Sequence, residues 1–336
     1  MSQIKSIMDI NTIKSILREN KLWTNKSLGQ NFLVSEKALG KIVEAANLSK
    51  DDFVLEIGPG LGVLTDELAR HAKLVLAVEK DYKLAEFLRK RFKSYKNVKI
   101  IHEDILRFSL ISDRLPSIES SIVKGSLIEQ RKTKNVADSV RQKTKNEAYK
   151  IVSNLPYNIT SPVIKKFLEE DNRPTEMILM VQKEVAERLT AKPGSSDRGI
   201  LTVMIEFYGK AEIIDMVNRN CFWPVPEVDS AIIKIVTKSY EKLQIVAKSC
   251  NLEKQPIETI GNHLQPFVTS FMRLVKIGFS QKRRQIHHPL ASGLHLSKPE
   301  ILDILKLAKI DPAKRAEDLN LDDWINLYEH YQKFLV

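Results

Sequence analysis

A four-residue segment, Asn154-Leu155-Pro156-Tyr157, combines residue types that can hold a planar amine for a reaction. The side-chain carbonyl of Asn154 and the backbone carbonyl of Pro156 can each accept a hydrogen bond from an amino group. Tyr157 adds an aromatic face on which a planar base can stack. Because the segment follows the apolar run Ile151-Val152-Ser153, it could also be a turn that only ends a strand. The functional interpretation predicts a site that aims an exocyclic amine at an electrophile.

A glycine-rich turn, Gly58-Pro59-Gly60-Leu61-Gly62, follows the apolar run Val54-Leu55-Glu56-Ile57 and precedes a helical pattern. Glycines let the backbone approach a ligand where a Cβ atom would collide, so the turn predicts a binding loop for a nucleotide-like ligand. Dinucleotide-binding folds also have a loop here, normally with a GxGxxG pattern that this turn does not match. The phosphate-binding pattern GxxxxGK[ST] is absent from the sequence, so we do not expect a P-loop enzyme.

Acidic residues end the next two apolar runs along the chain. Glu79 lies 21 positions after Gly58 and can accept hydrogen bonds from both hydroxyls of a ribose. Asp104 ends the following run, where it can accept from an adenine amino group. Each acid taken alone also fits a helix cap or a solvated strand end. Three consecutive strand ends with matching chemistry predict a nucleoside pocket.

These side chains need a parallel sheet to bring them together, and the sequence predicts one. Short β-branched runs alternate with helical patterns between Phe53 and Thr237, which is typical of an α/β fold with helices covering a sheet. We expect the last two strands to pair antiparallel at the sheet edge, because only a loop separates them. The seven predicted strands are Phe53–Ile57, Leu74–Val78, Val98–His102, Lys150–Ser153, Met177–Gln182, Glu212–Val217 and Ala231–Val236.

Two domains are expected, with a boundary near residue 238. The first, 1–238, contains the sheet and a Ser-, Lys- and Arg-rich insertion at about 109–149, which is either a solvated loop or an RNA contact. The second, 239–336, has helical periodicity without strands. It concentrates positive charge at Arg273, Lys282, Arg283 and Arg284, which is typical either of a phosphate-binding face or of a helix made soluble by basic residues.

The composition favours a polyanionic partner and argues against several classes of protein. The 336-residue chain has a formal net charge of +11, although a basic protein without such a partner is the alternative. Cys221 and Cys250 form no CxxC pair and no HExxH occurs, so we expect neither disulfides nor a metal site. No apolar run reaches the ~18 residues of a membrane span. Asp9 and Glu19 argue against an organellar presequence, so we expect a cytoplasmic protein.

The motifs, in their order, resemble the ribosomal RNA adenine dimethyltransferases, a family with one branch acting on small-subunit RNA and a macrolide-resistance branch acting on large-subunit RNA. Ile310–Glu317 and the basic C-terminal region look more like the small-subunit branch. The stretch between Asp104 and Asn154 and the segment Ser239–Pro266 are longer than the family usually has, so RNA contacts there are not transferred. The matching segments are Ser27–Leu33, Glu56–Gly62, Glu79, Asp104, Asn154–Tyr157, Phe222–Ser230 and Gln281–Arg284.

The resemblance implies a Rossmann-like class I methyltransferase domain of seven strands, mostly parallel, with an antiparallel last strand, followed by a small helical RNA-binding domain. It implies S-adenosyl-L-methionine as methyl donor, with S-adenosyl-L-homocysteine as product. The implied reaction is N6,N6-dimethylation of two adjacent adenines near the 3′ end of small-subunit (16S) ribosomal RNA, linked to biogenesis of the 30S particle. The implied partners are that RNA or particle and no membrane, and we expect a monomer.

The resemblance also assigns residues to roles. Phe222 is expected to sandwich the target adenine with Tyr157, although an aromatic residue in a Pro-rich loop also fits a core position. The catalytic group is Asn154, Leu155, Pro156, Tyr157 and Phe222. The cofactor pocket is assigned Gln30, Asn31, Leu33, Gly58, Gly60, Glu79, Lys80, Asp104, Ile105 and Asn154.

Two other functions fit parts of the sequence. A non-catalytic assembly or transcription factor could keep the fold and bind nucleic acid through its basic surface, but the intact Glu79 and Asn154–Tyr157 disfavour it. A DNA adenine or protein glutamine methyltransferase also uses an Asn-x-Pro-Tyr site. Leu155, where those enzymes commonly have Pro, and the late basic helical region favour RNA.

Overall fold

A computed structural model of the chain describes residues 9–22, 30–109, 148–239 and 261–335, with side chains in the last range from residue 266. Several predicted features lie outside these ranges: residues 27–29 of the first motif, nearly all of the 109–149 insertion and most of the 239–266 segment. The chain forms two compact units, the first comprising residues up to Lys183 together with Ile213–Ile235. The second comprises Glu184–Glu212 and the residues from Val236 onward.

The strands form a large sheet and a small ribbon. The strands of the described residues are β1 Phe32–Leu33, β2 Phe53–Ile57, β3 Leu74–Glu79, β4 Val98–His102, β5 Tyr149–Asn154, β6 Glu176–Gln182, β7 Gly209–Val217, β8 Phe222–Trp223 and β9 Ser230–Thr237. The large sheet has seven strands in the order β4-β3-β2-β5-β6-β9-β7, and the ribbon pairs β1 with β8. Each predicted strand is present within three residues of its expected bounds.

The register of the sheet aligns the strand ends that carry the predicted site. β2 runs parallel to both β3 and β5, with Ile57 opposite Val78. β3 continues parallel to β4, with Glu79 opposite His102. At the other edge, the Lys238 amide donates to the Tyr208 carbonyl at 2.7 Å, so the end of β9 lies beside the start of β7 as in an antiparallel pair. The mostly parallel sheet with an antiparallel last strand is thus confirmed.

Helices cover the sheet in the first unit and build most of the second. β2 is buried at every position, as expected for a central strand with helices on both faces. Within the described ranges, no helix has the length and apolar character needed to span a membrane. The helices are α1 Ile10–Glu19, α2 Glu36–Ala46, α3 Val63–His71, α4 Tyr82–Arg91, α5 Thr160–Glu169, α6 Lys183–Leu189, α7 Ile200–Tyr208, α8 Gly261–Gly278, α9 His287–Leu294, α10 Lys298–Leu307 and α11 Leu321–Phe334.

Helix α7 belongs to the second compact unit, although it precedes the boundary expected near residue 238. The helix is apolar on most of its surface, and its Phe207 packs against Phe267 and Phe271 of α8. Arg198, which precedes α7 and is fully buried, donates to both carboxylate oxygens of Glu206 at 2.5 and 2.6 Å and to the Leu319 carbonyl. A helix that is apolar all round must be covered by other elements, and α7 is covered by the late helices.

Candidate functional site

A cavity in the first unit lies at the carboxyl ends of β2, β3 and β5. Ligands of open parallel sheets bind at this edge, because loops at the strand ends leave a crevice there. Ten further lining residues were not assigned to the site from the sequence, among them Ile13, Phe32 and Glu56. The sequence-assigned residues that line the cavity are Gln30, Asn31, Leu33, Gly58, Gly60, Glu79, Lys80, Asn154, Leu155, Pro156 and Tyr157.

The glycine-rich turn forms one wall of the cavity and requires its glycines. Gly58 has a φ of +65°, and a Cβ atom there would lie 3.3 Å from Cδ of Pro156. Gly62 has a φ of +82°, and its Cβ would come within 2.6 Å of the Phe92 ring. From α4, the Arg91 guanidinium donates to the Leu61 carbonyl at 3.0 Å. The turn is therefore held between the Asn154–Tyr157 segment and α4.

Glu79 places a buried carboxyl group in the cavity at the end of β3. Its side chain is 6% exposed, and one oxygen accepts a 2.8 Å hydrogen bond from the Asp81 amide. Burial raises the pKa of Glu79 to about 7, although the amides of Asp81 and Gly60 offset part of this effect. A ligand that donates hydrogen bonds to the Glu79 carboxylate would stabilise its ionised form.

Glu56 is a second buried carboxyl group on the cavity wall, one residue before the carboxyl end of β2. It is 1% exposed, and burial raises its pKa to about 8; the Thr65 hydroxyl lowers it and the nearby charge of Glu79 adds to the rise. The sequence signal for this residue was an acid inside an otherwise apolar strand. Two carboxyl groups that are costly to ionise when buried favour a positively charged ligand between the loop and the strand ends.

The Asn154–Tyr157 segment continues β5 directly into the cavity. Asn154 still pairs with Met180 of β6, and the Leu155 amide donates to the Met180 carbonyl, so the sheet fixes the backbone. The Asn154 side-chain nitrogen donates to the Asn31 carbonyl at 3.4 Å. This orientation presents the side-chain oxygen of Asn154 as an acceptor. Tyr157 is half-buried on the cavity wall.

Residues 22–266 match the family model of the ribosomal RNA adenine dimethylases. A relative from Dehalococcoides mccartyi, named Ribosomal RNA small subunit methyltransferase A, is 39% identical over 331 residues, which cover 98% of this chain and 93% of the relative. The chain belongs to the ribosomal RNA adenine dimethylase family.

Solved structures agree with this family in their fold. A dimethyladenosine transferase from Plasmodium falciparum has a TM-score of 0.63 and 24% identity, with 91% of this chain and 98% of that chain covered. The 23S rRNA methyltransferase ErmE has a TM-score of 0.56 and 24% identity, with 90% and 100% covered. The class I methyltransferase fold expected from the sequence is thereby confirmed.

Two residues assigned to the cofactor pocket do not line the cavity of this dimethylase-family chain. Asp104 reaches it indirectly, because its carboxylate forms a 2.8 Å ion pair with the ammonium group of Lys80, which does line the cavity. The Lys80 contact lowers the pKa of Asp104. Ile105 is buried at 4% exposure. The predicted contact between Asp104 and an adenine therefore requires Lys80 to share or release this carboxylate.

Phe222 also lies away from the cavity wall. It is 1% exposed, belongs to the hydrophobic core and is paired with Leu33 in the β1–β8 ribbon. Of the two interpretations of this residue, the core position is the one that the described conformation shows. Stacking of Phe222 on a base stays a prediction, and it requires the side chain to leave the core.

The four basic residues assigned to RNA lie in the second unit, and all have exposed side chains. Lys282, Arg283 and Arg284 are consecutive in an exposed stretch before α9, while Arg273 lies on α8. The Lys282 ammonium donates to the Ser196 carbonyl, which ties this stretch to the loop before α7. Exposed cations on such a stretch are accessible to the phosphate groups of a nucleic acid.

Replacing Glu56 by Gln is expected to remove a pH-dependent cost of folding in the ligand-free protein. A carboxyl group whose pKa rises from 4.5 to about 8 on folding contributes stability below pH 4.5 that is lost as the pH rises through 8. The gain in free energy of unfolding from Glu56→Gln should therefore grow by roughly 4 kcal/mol between pH 5 and 9. Denaturant unfolding at several pH values measures it, with Glu36→Gln at an exposed position as control. A pH-independent difference would contradict the expectation.

Proposed function

We propose that this chain transfers methyl groups from S-adenosyl-L-methionine to the exocyclic amino groups of adenines in small-subunit ribosomal RNA, which yields N6,N6-dimethyladenosine. One observation carries the proposal: Asn154, Pro156 and Tyr157 line the same cavity as Gly58 and Glu79. Groups suited to an amine and groups suited to a nucleoside therefore face one space. The choice of small-subunit RNA follows the name of the Dehalococcoides relative. Two adjacent adenines near the 3′ end, in RNA or in the 30S particle, are the target that the resemblance implies.

The side of the cavity next to the glycine turn fits a cationic nucleoside. Glu79 would accept hydrogen bonds from ribose hydroxyls, while the buried Glu56 favours a positive charge in the cavity. Gly58 and Gly60, both with a positive φ, line the cavity and so bring the backbone next to a bound ligand. S-adenosyl-L-methionine, when bound, supplies a methyl group attached to a positively charged sulfur. Gln30, Asn31, Leu33 and Lys80 are the other residues that we assign to holding it.

The side of the cavity formed by Asn154–Tyr157 fits the acceptor base. An adenine amino nitrogen is a poor nucleophile because its lone pair is delocalised into the ring. If the side-chain oxygen of Asn154 and the backbone carbonyl of Pro156 accept its two N–H bonds, the nitrogen is held with its lone pair directed at the methyl group. Positioning and electrostatic stabilisation then supply most of the rate acceleration. The second transfer uses a monomethylated amine with one remaining N–H.

Binding of the RNA is assigned to the exposed basic residues of the second unit. Replacing Lys282, Arg283 and Arg284 together by Gln should weaken RNA binding about tenfold at moderate salt and flatten its salt dependence, because fewer counterions are released. Affinity for the cofactor should be unchanged. Binding measured over a series of salt concentrations tests this expectation. A triple Gln variant of Lys298, Lys306 and Lys333 removes the same charge from exposed positions elsewhere and serves as control; equal losses in both variants would argue against a specific surface.

The proposed function is tested with the purified chain and labelled S-adenosyl-L-methionine. Naked small-subunit RNA, assembling 30S particles and duplex DNA are offered separately, and nucleosides are analysed after digestion. We expect N6,N6-dimethyladenosine in RNA or in particles. Cofactor binding without transfer to any substrate would point instead to a non-catalytic factor, and transfer to DNA alone would refute the RNA assignment.

A further inference from the structure

A hydrogen bond joins the ends of two sequence motifs that lie far apart in the chain. The Tyr157 hydroxyl and the Ser230 hydroxyl are 2.8 Å apart across 73 residues of sequence. Ser230 is fully buried, while Tyr157 is half-buried and lines the cavity. The bond therefore links a ring that faces the site to a side chain that does not.

Ser230 is held rigidly by its surroundings. It is the first residue of β9, which lies beside β6 in the large sheet. The preceding residue, Asp229, accepts a 2.9 Å bond from the Lys183 amide through its carbonyl and another from the Arg219 amide through its carboxylate. The backbone that carries this hydroxyl is therefore held in place, and the hydroxyl can anchor a group that is bonded to it.

The Tyr157 ring needs an external anchor to stay in one place. The residue begins a one-turn 3-10 helix after β5, and its backbone alone does not select one staggered rotamer about the Cα–Cβ bond. Phe222, which the family resemblance places opposite Tyr157, belongs to the hydrophobic core. Because the Tyr157 hydroxyl oxygen lies on the long axis of the ring, a bond at that oxygen fixes the rotamer and the direction of this axis, so the ring keeps one position on the cavity wall.

We propose that Ser230 is a positioning residue for Tyr157, and that its hydroxyl fixes the position of the ring on which the target base stacks. This inference rests on the proposed function, because it concerns the acceptor base and not the methyl donor. Since Asn154 and Pro156 hold the amine of the same base, a displaced ring would shift the base and move its amine out of line with the methyl group. The loss should fall on the RNA side of the reaction and be larger for the second transfer, whose amine has only one N–H left to guide it.

A double-mutant cycle tests the proposal with Ser230→Ala, Tyr157→Phe and the double variant, using the RNA or particle that the wild type methylates. Each single variant removes one hydroxyl and keeps the rest of the side chain. We expect each to lower kcat/KM for the RNA about tenfold, with the double variant no worse than either one. The ratio of monomethyl- to dimethyladenosine should rise, and the affinity for S-adenosyl-L-homocysteine should stay at the wild-type value.

Ser270→Ala is a matched control, because Ser270 forms a similar hydroxyl pair with Tyr328, at 2.5 Å, in the second unit. It should lower thermal stability without changing the product ratio. Wild-type activity of Tyr157→Phe or Ser230→Ala would overturn the inference, as would additive losses or an equal loss of cofactor affinity. Absence of methyl transfer by the wild type would instead refute the proposed function.

Discussion

Replacing Asn154 by Ala is expected to lower kcat for RNA methylation by about a thousandfold, while affinity for the cofactor falls much less. The side-chain oxygen of Asn154 is one of two acceptors that we assign to the adenine amine, and removing a preorganised group at the reacting atom costs 10²–10³ or more in rate. Alanine also releases the bond to the Asn31 carbonyl, so a small loss of cofactor affinity is expected as well. Single-turnover kinetics together with calorimetric titration separate the two effects.

Asn97→Ala is the control for losing a structural amide. The Asn97 side chain donates to the carbonyls of Ala69 and Ala72 at 2.8 and 3.1 Å, away from the cavity lining. It should cost stability without a comparable loss of kcat. Near wild-type methylation by Asn154→Ala would remove the central group of the proposed mechanism.

Local sequence predicted the parts of the site whose chemistry depends on neighbours in the chain. The glycine turn after β2, Glu79 at the end of β3 and Asn154–Tyr157 after β5 line one cavity, because parallel strands bring their carboxyl ends to one edge. The strands themselves were recognisable in the sequence as apolar, β-branched runs separated by turn-forming residues. The fold therefore follows from a pattern that repeats along the chain.

Side-chain partners could not be predicted in the same way. The ion pair of Lys80 with Asp104, the burial of Phe222 and the bond between Tyr157 and Ser230 each depend on how separate elements pack. The grouping of α7 with the residues from Val236 onward depends on packing in the same way, because its strongly apolar surface is covered by helices from much later in the chain. Short-range periodicity identifies a helix but not the elements that bury it.

Replacing Glu79 by Gln is expected to raise the dissociation constant for S-adenosyl-L-methionine about a hundredfold, with kcat at saturating cofactor nearly unchanged. Gln keeps the size of the side chain but loses the charge, and hydrogen bonds to a charged acceptor contribute roughly 1.5 to 3 kcal/mol. Glu86→Gln, at a surface position on α4, removes the same charge without a role in the cavity and should bind the cofactor normally.

The pH dependence of binding gives the same assignment a second test. With a pKa of about 7 in the ligand-free protein, Glu79 is largely protonated at pH 6 and largely ionised at pH 8. Ribose hydroxyls bind the ionised form better, so the cofactor must displace a proton below pH 7, and wild-type affinity should weaken as the pH falls from 8 to 6. Glu56, with a pKa of about 8, adds a second contribution of the same sign, and that contribution persists in Glu79→Gln. The variant should therefore lose only part of the wild-type pH dependence, and an unchanged profile would show that Glu79 does not contact the cofactor.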